Sequence, residues 1–192
     1  MVGACSLKID SHREFESYMA RTYRQAYNMA YRMTGNRDDA EDLVQEAHLR
    51  AFQFFHKYNR AMPFENWFFR IMSNLQVDGF RKLKCRPKPL SLDAPLKGED
   101  LFLELSDDSG NPERRLFQEV FDESIELGLA RMPLVFRTAV LLCDVEDRSY
   151  EDIARITGVS IGTVRSRIHR GRKMLRGYVQ CHQSRGILQV SQ

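Results

Sequence analysis

The stretch Ser149-Tyr150-Glu151-Asp152-Ile153-Ala154-Arg155-Ile156-Thr157-Gly158-Val159-Ser160-Ile161-Gly162-Thr163-Val164-Arg165-Ser166-Arg167-Ile168-His169-Arg170 decides how this chain folds. It is written as two helices around a tight turn. Ser149 caps the first helix, Asp152 three positions on completes a capping-box-like exchange, and the small Ala154 and Gly158 allow the second helix to cross closely over the first. Ser160 caps the second helix. Along it Ile161, Val164, Ile168 and Leu175 recur at helical steps with Gly171 on the same side, a single stripe to be buried. The opposite side carries Arg165, Ser166, His169, Arg172, Lys173 and Arg176. Arg and Ser near the start of such a helix reach base edges in a major groove, while Arg170, Arg172, Lys173 and Arg176 suit phosphates. A solvated basic face on an ordinary surface helix is the alternative. The coincidence of cap, turn, stripe and basic face favours a DNA-reading helix-turn-helix.

With 192 residues, 43% of them hydrophobic, the chain has room for one large or two small domains with real cores. Its net charge is only +3, from 29 basic and 26 acidic residues, so nucleic-acid binding must rest on how charge is distributed. Cys5, Cys85, Cys143 and Cys181 stand far apart and the histidines form no ligand pattern with them, so neither a metal site nor a cofactor is expected. Cys85, between Lys84 and Arg86, reads as an incidental linker cysteine rather than a redox sensor. No apolar run approaches the ~20 residues that span a bilayer, and the N-terminus lacks a basic segment followed by an apolar core. No membrane insertion and a cytoplasmic location are expected.

Upstream, apolar residues at helical spacing run through Phe15, Tyr18, Met19, Thr22, Ala26, Met29, Ala30 and Met33 to a break at Thr34-Gly35-Asn36. Asn36 caps a second helix, whose first-turn Asp38 and Asp39 suit its positive end and whose buried stripe is Ala40, Leu43, Val44, Ala47, Ala51, Phe54 and Phe55. Its outer face is acidic, with Asp38, Glu41, Asp42, Gln45 and Glu46. A loop from Tyr58 to Pro63 leads into a third helix, from about Phe64 to Lys82, with Phe64, Trp67, Phe68, Ile71 and Leu75 on its core side. Asn66, Arg70, Asn74, Val77 and Arg81 form a second, polar stripe flanked by Phe69, Ser73 and Phe80. Such a stripe suits unpaired bases, which stack on rings while the backbone follows positive charge. From this helix alone, a wet face with two half-buried phenylalanines is the simpler account.

Periodicity fails from Cys85 to Pro112, where Pro87, Pro89, Pro95 and Pro112 punctuate a segment that begins basic (Lys84, Arg86, Lys88) and turns acidic (Glu99, Asp100, Glu104, Asp107, Asp108). Helical pattern resumes after Pro112 through Leu116, Val120 and Leu127. Met132-Pro133 starts a helix carrying Val135, Phe136, Val140 and Leu141 that ends near Cys143-Asp144. Past Arg176 the tail is short and uninformative. The expectation is an all-α fold with two helical domains joined by a flexible linker, the C-terminal one containing the helix-turn-helix. The boundaries are an N-terminal domain at 1–84, the linker at 85–111, a C-terminal domain at 112–178 and a tail at 179–192.

Two segments resemble the extracytoplasmic-function (ECF) sigma factors, the small bacterial initiation subunits of RNA polymerase, over about Phe15 to Arg86 and Glu113 to Arg176. Asp39-Ala40-Glu41-Asp42-Leu43-Val44-Gln45-Glu46 looks like the family's second conserved region, followed by Trp67-Phe68-Phe69-Arg70-Ile71-Met72-Ser73-Asn74. Arg131-Met132-Pro133, Ser149-Tyr150-Glu151-Asp152-Ile153-Ala154 and the stretch from Gly162 to Arg172 look like its fourth. The resemblance implies a promoter-specificity subunit with no catalytic activity of its own, which binds core RNA polymerase, recognises minus-35 and minus-10 elements and promotes melting. Asp39, Asp42, Leu43, Gln45 and Glu46 would then dock on the clamp coiled coil of the polymerase large subunit. Tyr58, Asn59, Arg60, Phe64, Arg70, Asn74 and Arg81 would engage the non-template single strand of the minus-10 element, where one base is flipped into a pocket. Arg165, Ser166, His169, Arg170, Arg172, Lys173 and Arg176 would read the minus-35 duplex. The linker would thread toward the polymerase active-site cleft. An anti-sigma factor is a further implied partner, although no motif encodes it. His169 departs from the aromatic or aliphatic residue of many relatives, so a minus-35 preference does not carry over, and no appended C-terminal domain is expected.

A stand-alone helix-turn-helix transcriptional regulator would also account for the C-terminal half, and binding to core polymerase separates it from the sigma factor. A sigma-factor mimic that titrates an anti-sigma factor would need no promoter-reading helix, and Arg165 and Arg170 on a basic face count against it. An enzyme is the weakest reading, because Asp38-Asp39 and Asp107-Asp108 lie in a helix cap and a linker, and no Ser-His-Asp or Cys-His ordering or glycine-rich phosphate loop is present.

Overall fold

The computed structural model describes residues 3–85 and 123–189, with side chains placed over 11–79 and 124–181. Among the described residues the chain is helical and has no strand: α1 (Gly3–Thr34), α2 (Arg37–Phe54), a 3-10 turn (Phe55–Lys57), α3 (Phe64–Cys85), α4 (Glu123–Arg131), α5 (Leu134–Asp144), α6 (Tyr150–Thr157) and α7 (Ile161–Gln189). This is the expected all-α class. The prolines of the linker, and the helical pattern read at Pro112, Leu116 and Val120, lie outside the described residues.

Helices α1, α2 and α3 pack into an N-terminal unit. The predicted stripe of α1 is buried, with Phe15, Ala26 and Ala30 at 0% exposure. Gly35 turns the chain in a left-handed conformation (φ +75°) that an L-residue with a side chain resists. Asn36 Oδ1 then accepts from the Asp38 amide at 2.8 Å, so α2 starts at once. Phe54, expected on the buried stripe, is 45% exposed. The chain tightens to three residues per turn at Phe55, which swings Phe55 inward and leaves Phe54 outside beneath the Lys57 ammonium, 5.1 Å from its ring. Phe15, Tyr18, Phe55, Tyr58, Phe64 and Trp67 close the unit as an aromatic cluster, with Tyr18 stacked on Phe64 at 4.9 Å.

In the C-terminal unit α7 is the axle against which α4, α5 and α6 pack. Ser149 caps α6, accepting from the Asp152 amide at 3.1 Å and donating to Asp152 Oδ2 at 2.8 Å. Gly158 ends it at φ +67°, and a Cβ there would meet no atom within 4 Å. The left-handed turn, not a close helix crossing, is what requires glycine at that point. Val164 and Ile168 are buried, but Ile161 is 38% exposed because it opens α7 ahead of the crossing. The close approach occurs at Gly171, where a Cβ would lie 2.5 Å from Val140 Cγ2 and 3.2 Å from the Phe136 carbonyl oxygen. Val135, in the first turn of α5, is 40% exposed. The tail after Arg176 is not a loose end: α7 continues to Gln189, with Tyr178 packed over Gly128.

The two units pack directly on each other, α3 against α6 and α1 against α4 and α5. Helix α5 therefore has six consecutive buried residues, Arg137 to Leu142. Arg137 joins the units. Its Nη1 donates to the Met33 carbonyl at 2.7 Å, and its Nη2 donates to Met132 at 2.9 Å and to Ala130. These carbonyls sit at the C-terminal ends of α1 and α4, where helix dipoles favour a cation. Burial still pulls the guanidinium down to about 10.

Candidate nucleic-acid interface

The first turns of α7 carry the predicted duplex-reading set. Ser160 Oγ accepts from the Thr163 amide at 3.2 Å, which starts the helix at the turn. Arg165, Ser166, His169, Arg170, Lys173 and Arg176 are all exposed, on the side away from Val164, Ile168 and Gly171. Arg172 is different. Its Nε donates to Asp144 Oδ2 at 3.0 Å, and its Nη2 reaches Asp144 Oδ1 and, at 3.5 Å, Cys143 Sγ. The hydrogen bond to Asp144 holds the guanidinium above its ordinary range. Arg172 thus clamps α7 to the end of α5.

The predicted single-strand set divides. Arg70 and Asn74 are exposed on α3, while the side chain of Arg81 lies outside the described residues. Phe64 is 2% and Tyr58 8% exposed, both in the aromatic core, and Tyr58 donates from its hydroxyl to the Met62 carbonyl at 2.6 Å. Neither ring is available to a base, because the loop folds inward onto Phe15 and Tyr18. Asn59 shapes the loop, its Oδ1 accepting from the Ala61 amide at 2.9 Å. Arg60 donates from Nε to Glu14 at 2.9 Å and holds that carboxyl below the usual carboxylate range. The flanking Phe69 and Ser73 are also covered, at 1% and 6% exposure, as is Asn66 at 2%.

On α2, Asp39, Asp42, Gln45 and Glu46 are exposed and Leu43 is half-buried, as the acidic-face reading requires. The face extends further than its charges suggest. Leu49 at 60% and Phe52 at 47% exposure continue it one and two turns on. Helical spacing from Asp42 and Gln45 reaches both, but neither is expected on the acidic face or on the buried stripe. Among the described residues no cluster of His, Cys, Asp or Glu could hold a metal, and no helix is long and apolar enough to cross a membrane.

Both halves of the chain match known proteins. The family model for sigma-70 region 2 matches residues 11–85 and that for sigma-70 region 4 matches residues 122–175, which makes this a sigma-70-class protein. The chain is 39% identical over 163 residues to the ECF RNA polymerase sigma factor SigE of Mycolicibacterium smegmatis, a match covering 83% of this chain and 59% of that protein's length. It is 33% identical over 153 residues to the ECF RNA polymerase sigma factor SigW of Bacillus subtilis, covering 78% of this chain and 80% of that one. The chain belongs to the ECF sigma factors, the class that directs transcription initiation from promoters. Its fold is similar to the sigma factor RpoE of Bartonella quintana, solved with the anti-sigma factor NepR, at a TM-score of 0.68 and 21% identity over 88% of this chain and 98% of that one. It is also similar to CnrH, solved with the cytosolic domain of CnrY, at a TM-score of 0.60 and 20% identity over 88% and 90% of the two chains.

Proposed function

We propose that this chain binds core RNA polymerase through α2, reads minus-35 duplex through the exposed basic face of α7, and engages the melted minus-10 strand through Arg70, Asn74 and the adjoining face of α3. The observation that carries this reading is the unpartnered face of α2, where Asp39, Asp42, Gln45 and Glu46 run on into exposed Leu49 and Phe52. A free-standing operator-binding protein has no use for an acidic and apolar face on the unit that does not read duplex. A polymerase subunit does. The charges set register and encounter rate, and burying the exposed parts of Leu49 and Phe52 contributes about 1 kcal/mol each. Each promoter contact then needs only modest affinity, because docking on polymerase turns the second and third contacts into intramolecular events.

The catalytic chemistry belongs to the polymerase, and acting on it places the chain in the cytoplasm. An anti-sigma factor is the partner we assign to hold it inactive, by likeness to the RpoE and CnrH chains solved with NepR and CnrY. The deciding experiment replaces Asp42 and Gln45 with Ala and Leu49 with Ser, and measures co-purification with core polymerase and run-off transcription from a random-promoter library. Loss of both with unchanged helicity supports the assignment. Retained promoter selectivity without polymerase binding would return the chain to the stand-alone regulators.

A further inference from the structure

We propose that the closed packing of the two units is a self-masking state, in which α6 covers the strand-binding face of α3 until the contacts Gln25–Glu146, Arg137–Met33 and Arg148–Phe69 are released. This rests on the assignment of α3 to the melted strand.

Helix α3 is buried on two faces. Phe64, Phe68 and Met72 fill the N-terminal unit. Asn66, Phe69, Ser73 and Gln76 follow at steps of three, four and three along another face, and all are at most 8% exposed. Helix α6 packs on α3, and Arg148, just before α6, lays its guanidinium 5.5 Å from the Phe69 ring. The Phe69 ring, suited to stacking on an unpaired base, is therefore covered by the chain's own second unit, and the polar groups beside it are buried along the same face.

The cover is poorly matched to what it covers. Asn66 Oδ1, Ser73 Oγ and Gln76 Oε1 on this face of α3, and Arg137 Nε and Arg148 Nε on the opposing unit, are buried without a hydrogen-bond partner. Each such atom forfeits its hydration, which disfavours the closed state relative to any state that satisfies it. A single strand, with donors and acceptors on its base edges, is such a partner. Buried apolar residues of both units form one continuous cluster, and the polar contacts across the seam add to it separately. Of the three carbonyls that Arg137 contacts, Ala130 and Met132 belong to its own unit, so opening costs it only the bond to Met33. Gln25 donates to Glu146 across the seam, beside a cavity of about 400 Å³ whose wall carries Arg21, Arg24 and Arg32 of α1. Glu146 is the one carboxylate among the described residues lining it. It holds the arginine face of α1 against the second unit.

The mask is one-sided. Arg165, Ser166, His169 and Arg170 remain exposed in the closed state. The closed chain can read duplex, but to a single strand it offers only Arg70 and Asn74 and not the neighbouring Phe69 ring, Ser73 and Asn66.

Two full-length variants test this by fluorescence anisotropy without polymerase, using a fluorescein-labelled mixed-sequence single-stranded oligonucleotide, with small-angle scattering to report opening. Glu146→Arg sets a fourth cation against the arginines and should expand the particle. Apparent affinity is the intrinsic affinity scaled by the open fraction, so raising that fraction from about one in ten to nearly all strengthens single-strand binding about tenfold. Gln25→Cys with Glu146→Cys, in a chain whose native cysteines are Ser, should lose single-strand binding when oxidised and regain it on reduction. Equal affinity in the parent chain, Glu146→Arg and the oxidised double variant would overturn the mask. Arg70→Ala and Asn74→Ala separate the two ideas. If they impair promoter opening by holoenzyme while the seam variants change nothing, the strand assignment stands and the mask falls. If they leave the affinity gained by Glu146→Arg untouched, the strand assignment fails and takes the mask with it.

Discussion

Two glycines of one helix should respond oppositely to the same substitution. At Gly171 an alanine methyl would sit 2.5 Å from Val140 Cγ2 and 3.2 Å from the Phe136 carbonyl oxygen. Val140 is 3% exposed and β-branched, so it cannot rotate away, and the carbonyl belongs to the α5 backbone. Overpacking of this kind costs ~1–3 kcal/mol, against a gain of about 1 kcal/mol from replacing a mid-helix glycine. Gly171→Ala should therefore destabilise by up to about 2 kcal/mol. At Gly177 a Cβ meets nothing within 4 Å, so Gly177→Ala should keep the full helix-propensity gain of about 1 kcal/mol. At about 2–4 °C per kcal/mol for a chain of this size, the two melting temperatures should move apart by several degrees. Thermal unfolding followed by circular dichroism reads this directly. Equal shifts, or a stabilised Gly171→Ala, would refute the close crossing of α5 and α7.

Three further outcomes follow from the placement of side chains. Arg165→Ala should relax preference at one minus-35 position by ~1–3 kcal/mol, whereas Lys173→Ala should weaken all duplexes alike and flatten the salt dependence; identical behaviour would remove the division of roles along α7. Arg172→Ala should leave the salt slope of duplex binding nearly unchanged because Asp144 already holds that guanidinium. Asp144→Ala should free it and steepen the slope by about one phosphate contact. Asn74→Ala should reduce permanganate reactivity of the melted region while co-purification with core polymerase persists, and an unaltered footprint would leave α3 without a strand role.

The features legible from sequence are those whose causes are local. Asn36, Ser149 and Ser160 announce helix starts because a cap bonds to amides two or three residues away, and all three do so. The basic face of α7 is equally local, fixed by helical spacing alone. Misreadings arose where the partner lies far away in the chain. Arg172 looks like its basic neighbours until Asp144, on another helix, claims it. Tyr58 reads as a loop residue open to a strand, and Phe64 is expected both on the core side of α3 and against the strand; the loop folds back onto α1 and buries both, which periodicity within the loop cannot reveal. The second face of α3 is the clearest case. Asn66, Ser73 and Gln76 have the polarity of a wet surface yet are buried, on a helix that packs against α6, more than seventy residues downstream.

Helix α7 spans 29 residues, a rod of about 43 Å, and it is held near its middle by Gly171 against α5 and by Tyr178 against Gly128. Arg165 lies six residues from that hold, about 9 Å along the axis, so a 3° tilt of the rod moves its Cα by only ~0.5 Å, comparable to the spread of hydrogen-bond lengths. Were the rod held only at Gln189, the same tilt would carry Arg165 ~1.9 Å, more than half the ~3.4 Å step between neighbouring base pairs. On the proposed duplex reading, the pivot keeps thermal rocking of the axle from blurring which base pair Arg165 would meet.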